Sequence, residues 1–230
     1  MREGRLIGVV IPARNEEKAI GRVLAEIPAW VDIVVVGDNG STDATAAVAA
    51  AHGAVVVSEP EPGYGAACLA AMQRLGAVDI VVFLDGDYSD HPAEMVRLVD
   101  PIIAGEKDFV VGSRVLGEAE RGALTPQQRF GNWLATWLIR LIWGVRYTDL
   151  GPFRAIRATS LTDLAMRDRN FGWTVEMQIK AARAGLSIAE VPVNYRRRIG
   201  VSKVSGTVKG TILAGYKILY TIARFALARG

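Results

Sequence analysis

The sequence predicts an α/β protein with an open, mostly parallel sheet that carries helices on both faces. Between Leu6 and Ser113, five short apolar runs rich in Val and Ile alternate with segments of helical periodicity. The runs are almost continuously hydrophobic, as expected of strands that are buried on both faces. With 230 residues, 50% of them hydrophobic and 22% charged, the chain is long and apolar enough for one substantial core.

The predicted elements of this first part follow in strict alternation. The strands are LIGVVI (6–11), DIVVVG (32–37), AVVVS (54–58), IVVFL (80–84) and DFVVGS (108–113). The helices are KAIGRVLAEIPAW (18–30), TDATAAVAAAHG (42–53), GAACLAAMQRLG (65–76) and PAEMVRLVDPIIAG (92–105). Because ligands of such sheets bind outside the carboxyl ends of the strands, the residues that follow each strand are the first candidates for a site.

The second part of the chain has a different character. A polar, Gly-containing segment (115–128) is predicted to be a loop, and helices are predicted at 131–146, 169–185 and 205–230. One further strand, LSIAEVPVNYRRR (186–198), is predicted between the last two helices. The pattern shows no internal repeat.

Charge and cysteine content exclude several classes of protein. The net charge is only +3, although basic residues are concentrated from Arg196 onward, which favours a local anion site over binding to nucleic acid. The single cysteine, Cys68, excludes an internal disulfide and suits a reducing compartment. The N-terminal region reads as a strand rather than a signal peptide, and no long uncharged apolar segment occurs. We therefore expect a cytoplasmic protein.

Two carboxylates follow the fourth strand, in the stretch FLDGDYSDHP. Asp85 and Asp87 are two residues apart, so in extended backbone their side chains point to the same side. At about 4 to 6 Å they repel each other by roughly 1 to 4 kcal/mol, a cost that a divalent cation converts into binding. The alternative is helix capping near Pro92, a role that suits Ser89 or Asp90 better because Asp85 comes too early.

The other strand ends carry weaker signals. PARNE (12–16) follows the first strand, and Asp38 follows the second, before Ser41 and Asp43, which can cap the next helix or bind a sugar or base. Gly65 belongs to a G-Y-G turn after the third strand. That turn resembles half of a dinucleotide fingerprint, and we interpret it as a turn that lets a ligand approach the backbone closely.

Together these motifs resemble a known family. PARNE, DNGSTD, GYGAA, DGDYSDHP, VVGSR and YRRRIGVSK, in this order over residues 5–205, resemble family 2 glycosyltransferases of the GT-A fold, especially the dolichyl-phosphate mannose synthase-like and undecaprenyl-phosphate glycosyltransferase branch. The resemblance implies a nucleotide-binding half (1–115), an acceptor half (116–205) and a C-terminal amphipathic helix (206–230). It also implies inverting sugar transfer from a nucleotide-diphosphate donor, UDP-linked rather than GDP-linked by slight preference, with Mg²⁺ or Mn²⁺ as cofactor.

The resemblance assigns roles to individual residues. The donor-binding residues it implies are Pro12, Arg14, Glu16, Asp38, Gly65 and Asp85, and the metal-binding residues are Asp85, Asp87 and Ser89. The remaining catalytic candidates are the anion-binding Arg114, Arg129, Arg197 and Lys203, and the acid Glu176. The chain departs from the family pattern at Arg14, where many relatives have an aromatic residue, at Asn39 in place of a second acid, and at DLGPFRAIR, which is one residue short.

The acceptor is left open between two chemistries. A hydroxyl acceptor needs a general base, for which Asp90 and Glu176 are the candidates. A phosphate acceptor is already largely ionised near neutral pH and needs cations instead. The chain offers more cations than bases, which favours a polyprenyl phosphate, either undecaprenyl or dolichyl. A hydroxyl acceptor and a catalytically silent nucleotide-sugar-binding scaffold remain the alternatives, while a nucleotidyltransferase would need a phosphate loop that PARNE does not supply.

Two helices carry surface stripes that bear on location. Trp133, Trp137 and Leu141 recur at steps of four, and Lys209, Lys217 and Arg224 share one side of the last helix. An apolar stripe beside a basic one suits a helix lying on an anionic membrane surface, here the inner face of the cell membrane. Core packing or a homodimer interface would use the same stripes equally well.

Overall fold

The computed structural model describes residues 1–200 and 208–228, and its strands form one seven-stranded sheet. The strands are β1 (Ile7–Ala13), β2 (Ile33–Asp38), β3 (Val55–Ser58), β4 (Ile80–Phe83), β5 (Phe109–Ser113), β6 (Arg154–Arg157) and β7 (Ile188–Pro192). The helices are α1 (Ile20–Ala25), α2 (Thr45–Ala51), α3 (Tyr64–Met72), α4 (Met95–Ile103), α5 (Pro126–Trp143), α6 (Ala158–Leu164), α7 (Trp173–Arg183) and α8 (Val208–Leu227). The predicted α/β fold class is confirmed.

The sheet order is β3-β2-β1-β4-β6-β5-β7. The first four strands are mutually parallel, and β7 is parallel to β5. β6 is antiparallel to both of its neighbours, β4 and β5. The carboxyl ends of β1, β2, β3 and β4 therefore meet at one edge of the sheet, which is where the sequence predicts ligand binding.

Alternate side chains of the strands feed two separate cores, one on each face. On β1, Val10 packs into the core under α3, α5 and α7, while Val9 and Ile11 pack into the core under α1 and α4. Trp173 of α7 is fully buried and meets Phe83 of β4 edge-on, with ring centroids 6.0 Å apart. Covering both faces explains why the strand sequences are almost continuously apolar.

Three differences from the predicted elements affect the site. β6 and α6 were not predicted, because each is short and they follow one another without a turn signal. The last predicted strand ends at Pro192, six residues before the end of its apolar and basic run. Helix α5 begins earlier than predicted, at Pro126, where Thr125 and Gln128 form a capping box.

The C-terminal helix is packed onto the rest of the domain. α8 contacts α5 and α7, and its Thr221 and Ile222 are buried. The predicted helix starts at 205, and its residues 205–207 lie outside the described part of the chain.

Candidate functional site

A cavity of about 500 Å³ opens at the carboxyl ends of β1, β2 and β4, between α5 and α8. Its walls bring together six of the residues that the sequence predicts, from three separate strand ends: Pro12, Arg14, Glu16, Asp85, Asp87 and Arg114. Volumes of this size hold substrate-sized ligands. The prediction that the strand ends converge on one site is thereby supported by geometry.

The loops after β1 and β2 are tied together at one end of the cavity. The backbone N–H of Asn15, a residue with positive φ, donates to Ser41 Oγ at 2.9 Å, and Asn15 Oδ1 accepts from the Thr42 N–H at 2.8 Å. The Glu16 N–H donates to Thr45 Oγ1 at 2.7 Å. These bonds fix the loop after β1 against the loop after β2. The backbone that carries Arg14 and Glu16 is therefore held in place at the cavity.

Asp38 and Asn39 at the end of β2 have different surroundings. Asp38 is buried, and its Oδ1 has no hydrogen-bond partner among the described residues. Asn39 lines the cavity, donates to the carbonyls of Glu59 and Glu61, and accepts from the Gly63 N–H at 2.8 Å. An amide can both donate and accept, which a carboxylate cannot. Asn39 therefore holds the loop after β3 against the cavity.

Gly65 has a different neighbour from the predicted one. A Cβ at this position would collide with the Asp168 carbonyl oxygen, and a Cβ at Gly63 would collide with that of Arg169. The Ala66 N–H donates to the same Arg169 carbonyl at 2.9 Å. The close approach that these glycines permit is thus to the chain's own backbone, and of the two only Gly63 lines the cavity.

Asp85 presents an unsatisfied carboxylate oxygen at the centre of the site. Its Oδ1 is buried and has no hydrogen-bond partner in the described part of the chain. Burial and the neighbouring charge of Asp87 raise the pKa of Asp85 to about 7, while Arg198 and a hydrogen bond with Tyr64 act in the opposite direction. An orphaned oxygen whose ionised form is disfavoured is well suited to a cation.

Asp87 is held from both sides. Its Oδ1 accepts from the backbone N–H of Ser89 at 2.9 Å and also from the Ser89 hydroxyl. Its Oδ2 lies 2.6 Å from the Arg198 guanidinium. Ser89 is fully buried and does not line the cavity, and its hydroxyl is engaged by Asp87. In this structure Ser89 therefore orients the Asp87 carboxylate, and its predicted contact to a metal stays a prediction.

Asp85 and Asp87 fit a metal ion whose ligands come partly from protein carboxylates and partly from the oxygens of a bound diphosphate. In the residues that the structure describes, no three His, Cys, Asp or Glu side chains are placed to hold a metal ion by themselves. Mg²⁺ and related hard cations commonly take one or two carboxylates and complete their shell with phosphate oxygens and water. Asp85 and Asp87 would be the protein's contribution.

Arg114 faces the cavity from the end of β5 and is fixed by a buried acid. Its Nε and Nη2 donate to the two carboxylate oxygens of Asp149, both at 2.7 Å, and its backbone N–H donates to the same acid. The guanidinium also lies 5.0 Å from the centre of the Tyr195 ring. Interactions with Asp149 raise the pKa of Arg114 further, against the effect of burial. Arg114 is therefore a permanently charged, positioned cation.

The basic run after β7 contributes a different arginine from the one predicted. Arg198 lines the cavity, whereas the Arg197 guanidinium donates to the Arg121 carbonyl oxygen and is exposed outside it. Arg129 is also exposed and absent from the cavity wall. Lys203 lies outside the described residues. Of these two neighbouring arginines, Arg198 lines the cavity and Arg197 does not.

Comparisons with known proteins identify the family of the chain. Residues 8–164 match the family described as Glycosyl transferase family 2. The chain belongs to this family. It is 39% identical over 213 residues to an uncharacterised glycosyltransferase of Mycobacterium tuberculosis, covering 92% of this chain and 95% of the relative. It is 34% identical over 211 residues to the dolichyl-phosphate hexose transferase of Haloferax volcanii, covering 90% of each.

A solved structure extends the comparison to the fold. Glucosyl-3-phosphoglycerate synthase from Mycobacterium tuberculosis, in complex with Mn²⁺, UDP and glucosyl-3-phosphoglycerate, superposes with a TM-score of 0.78 at 28% identity. The match covers 99% of this chain and 82% of that one. The GT-A fold and the assignment as a glycosyltransferase, both implied by the resemblance of the motifs, are confirmed.

Neither predicted general base of this family 2 glycosyltransferase faces the cavity. Glu176 is buried, and its carboxylate accepts from the backbone N–H of Arg167 and Asp168 and pairs with Lys180 at 2.8 Å. Asp90 is also buried, and it accepts from the Asp85 N–H at 3.1 Å.

Asp90 does not cap the next helix either. That element begins with a 3-10 turn at Pro92–Glu94 that has no side-chain cap. Burial and the charge of Asp85 raise the pKa of Asp90 well above its ordinary value. Glu176 and Asp90 are therefore absent from the cavity wall of the glycosyltransferase and accept hydrogen bonds from backbone N–H groups.

The residues that sequence reasoning missed come from distant parts of the glycosyltransferase. Asp149 precedes the unpredicted β6, and Arg198 follows the end of β7 by six residues. Tyr64 opens α3 and reaches Asp85. Two of them lie in segments that the sequence had singled out: Arg198 in YRRRIGVSK, and Asp149, whose carboxylate matches the bidentate geometry of an arginine, in DLGPFRAIR.

Proposed function

We propose that this glycosyltransferase transfers a hexose, with inversion, from a UDP-sugar to a polyprenyl phosphate. The observation that carries the proposal is the composition of the cavity wall. Among the described residues, its acids are Glu16, Asp85 and Asp87, and its cations include Arg114 and Arg198 at the same end as the acid pair. Such a wall can bind phosphate groups, but it holds no acid free of the predicted donor and metal contacts to serve as a general base.

The residues of the chain would divide the reaction between them. A divalent cation, when bound, supplies positive charge that offsets the negative charge developing on the leaving diphosphate. Asp85 and Asp87 would hold that cation, and Ser89 keeps the Asp87 carboxylate in orientation. Arg114 and Arg198 would stabilise phosphate oxygens of the donor and acceptor. An ionised acceptor oxygen can then attack the anomeric carbon without a proton acceptor from the protein.

The support for a UDP-sugar and Mn²⁺ comes from the solved relative. That protein was crystallised with Mn²⁺ and UDP, and it matches almost the full length of this chain. The support for a polyprenyl phosphate comes from the dolichyl-phosphate hexose transferase among the curated relatives. A small phosphorylated acceptor is the second candidate, because the same solved relative carries glucosyl-3-phosphoglycerate.

An exposed aromatic face beside the cavity favours a lipid acceptor. We define it as Phe130, Trp133 and Trp137 on α5 together with Tyr216 and Tyr220 on α8, all between 48% and 66% exposed. The rings of Trp133 and Trp137 stack at 6.4 Å, and those of Tyr216 and Tyr220 at 6.2 Å. The same two helices also contribute residues to the cavity wall, so we propose that a lipid headgroup enters along them.

Peripheral attachment, not insertion, is the form of membrane contact that we propose. In the described part of the chain, no helix combines the length and apolar character needed to cross a bilayer. Exposed Arg140 and Arg224 lie on the same two helices and would add attraction to anionic lipid.

A matrix of donors and acceptors tests the reaction. The full chain is incubated with UDP-glucose, UDP-galactose or GDP-mannose, with undecaprenyl phosphate in detergent or with 3-phosphoglycerate, and with Mn²⁺, Mg²⁺ or EDTA. We expect a lipid-linked sugar only with a UDP-sugar, undecaprenyl phosphate and a metal. Transfer to 3-phosphoglycerate alone would favour the second candidate, and donor binding without any transfer would favour a silent binding protein.

Flotation with vesicles tests the membrane contact. We expect the wild type to bind vesicles that contain anionic lipid, and we expect a Trp133→Ser, Trp137→Ser double variant to lose most of that binding. Val55→Ser is the matched control, because Val55 is 43% exposed on the edge strand β3, away from the aromatic face. Unchanged flotation together with a halved mass in solution would assign the face to a homodimer instead.

A further inference from the structure

One cation of the chain already occupies the carboxylate pair. The Arg198 guanidinium lies 2.6 Å from Asp87 Oδ2, and the Asp87 side chain is 5% exposed. Arg198 also hydrogen-bonds to Tyr195, a buried residue. Arg198 contacts Asp87 Oδ2, and the Ser89 hydroxyl donates to the other oxygen, Oδ1. A divalent cation held by Asp85 and Asp87 would therefore compete with the Arg198 guanidinium for the Asp87 carboxylate.

The backbone on both sides of Arg198 is hydrogen-bonded to the segment after β4 that carries Asp87. The Ile199 N–H donates to the Asp87 carbonyl at 2.9 Å, and the Arg196 N–H donates to the Ser89 carbonyl at 2.9 Å. Arg196 in turn donates to the carbonyls of Tyr88 and Asp90. These bonds fix the backbone on both sides of Arg198. They do not restrain its long side chain, which can move between Asp87 and another anion.

The excess of negative charge around Asp87 favours its ion pair with Arg198. Asp85, Asp87 and Asp90 lie within six residues of each other, and Arg114 is committed to Asp149. Of the described cations that line the cavity, Arg198 is the one seen in an ion pair with this cluster. Removing one member of a buried ion pair leaves the other charge uncompensated, which is strongly unfavourable. Asp87 would thus need either Arg198 or a metal.

We propose that Arg198 is an exchangeable counter-ion, which neutralises Asp87 in the metal-free enzyme and passes to the donor diphosphate when metal and nucleotide bind together. The inference rests on the proposed function, since it requires a metal–diphosphate donor. It makes Arg198 a diphosphate-binding residue that couples two binding events. Metal alone must displace the guanidinium without a new partner for it, whereas metal with UDP provides that partner. Binding of Mn²⁺ and of UDP is then mutually reinforcing.

Direct metal-binding measurements without any turnover test the exchange. Free Mn²⁺ is followed by electron paramagnetic resonance in titrations of the full chain, with and without UDP. For Arg198→Gln we expect Mn²⁺ alone to bind about fivefold or more tighter than to wild type, and we expect the enhancement by UDP to fall by a similar factor. Arg197→Gln, whose guanidinium is held on the Arg121 carbonyl, is the matched control and should leave both values unchanged.

A second variant and a second readout keep the test decisive if Arg198→Gln folds poorly. Arg198→Lys retains a shorter, differently shaped cation and should tighten Mn²⁺ binding by an intermediate factor of about two or more. Mn²⁺ should also raise the melting temperature of either variant more than that of wild type, because the metal replaces a missing counter-ion.

The outcomes separate the two proposals. Mn²⁺ binding that is equally tight or weaker in both Arg198 variants would overturn the exchange and leave the metal-dependent function standing. Failure of the wild type to bind Mn²⁺ even with UDP would overturn both. Tighter binding of Mn²⁺ alone together with a reduced UDP effect would support the exchange.

Discussion

The strands β1 to β4 and the strands β5 to β7 build their parts of the cavity in different ways. In the first group all strands are parallel, and Pro12, Arg14, Asp85 and Asp87 enter the cavity directly from the strand ends. In the second group an antiparallel strand is inserted. Arg114 still enters the cavity from a strand end, but Tyr195 and Arg198 are placed by contacts between distant segments. Function can be read from sequence where it follows local geometry, and it is hidden where long-range contacts place it.

The first group should be the more sensitive to a change in chemistry. We expect Asp87→Asn to lower kcat by about 10²- to 10³-fold, the size of effect that follows loss of one group stabilising developing charge. Sugar transfer at saturating Mn²⁺ is the measurement. Ser89→Ala should cost less, because it removes one hydrogen bond to Asp87 and leaves the carboxylate in place. Equal losses in the two variants would mean that Ser89 contacts ligand after all.

The predictability of fold and site follows the same division. Val and Ile runs predicted all five strands of the first part, because strands buried on both faces need such sequences. β6 was not predicted, because a strand of four residues between two neighbours is too short to show a periodic pattern in the sequence. Asp85 and Asp87 were predicted from their spacing at a strand end, from the mutual repulsion of their charges and from the resemblance of their motif to the family, and none of these arguments needs knowledge of distant residues.

Arg197 shows why the second part was harder to predict. The resemblance of YRRRIGVSK to the family pattern implies Arg197, and the sequence predicts that YRRR belongs to a strand, in which every second residue points to the same side. The strand ends at Pro192, so the alternation no longer applies at 196–198. Which arginine faces the cavity is decided by the bonds of Arg196 and Ile199 to the segment after β4, and these cannot be inferred from neighbouring residues.

The pair Arg198 and Arg197 tests this point directly. We expect Arg198→Ala to lower kcat/KM by about 10- to 150-fold, equivalent to the loss of a charge-assisted hydrogen bond worth about 1.5–3 kcal/mol. Arg197→Ala should change it by less than about threefold, since its guanidinium contacts the Arg121 carbonyl outside the cavity. Steady-state kinetics of the two variants at fixed UDP-sugar provide the comparison. The reverse order would restore the interpretation drawn from sequence.

Glu176 separates a structural acid from a catalytic one. Glu176→Gln weakens its bonds to the Arg167 and Asp168 N–H groups and removes its pairing with Lys180. We expect a loss of about 1–3 kcal/mol in the free energy of unfolding, measured with urea, and a kcat per folded molecule within about threefold of wild type. Glu106→Gln, at an exposed position, serves as the control for stability. A large fall in kcat with unchanged stability would instead identify Glu176 as the base of a hydroxyl acceptor.

The smallest predicted effect concerns a contact between the end of α1 and the segments that follow β4 and β7. Glu26, which follows α1, pairs with Arg196 at 2.7 Å and accepts from the Tyr88 hydroxyl, and these bonds lower the pKa of Glu26 below its ordinary value of 4.5. A carboxyl whose pKa is lower in the folded state adds stability above its ordinary pKa and loses that contribution as the pH falls through the folded value. Glu26→Gln should therefore lower the urea midpoint at pH 7, and the gap to wild type should narrow at pH 3.5. A gap that stays constant with pH would show that the Glu26 side chain contributes through packing and not through its charge on Arg196.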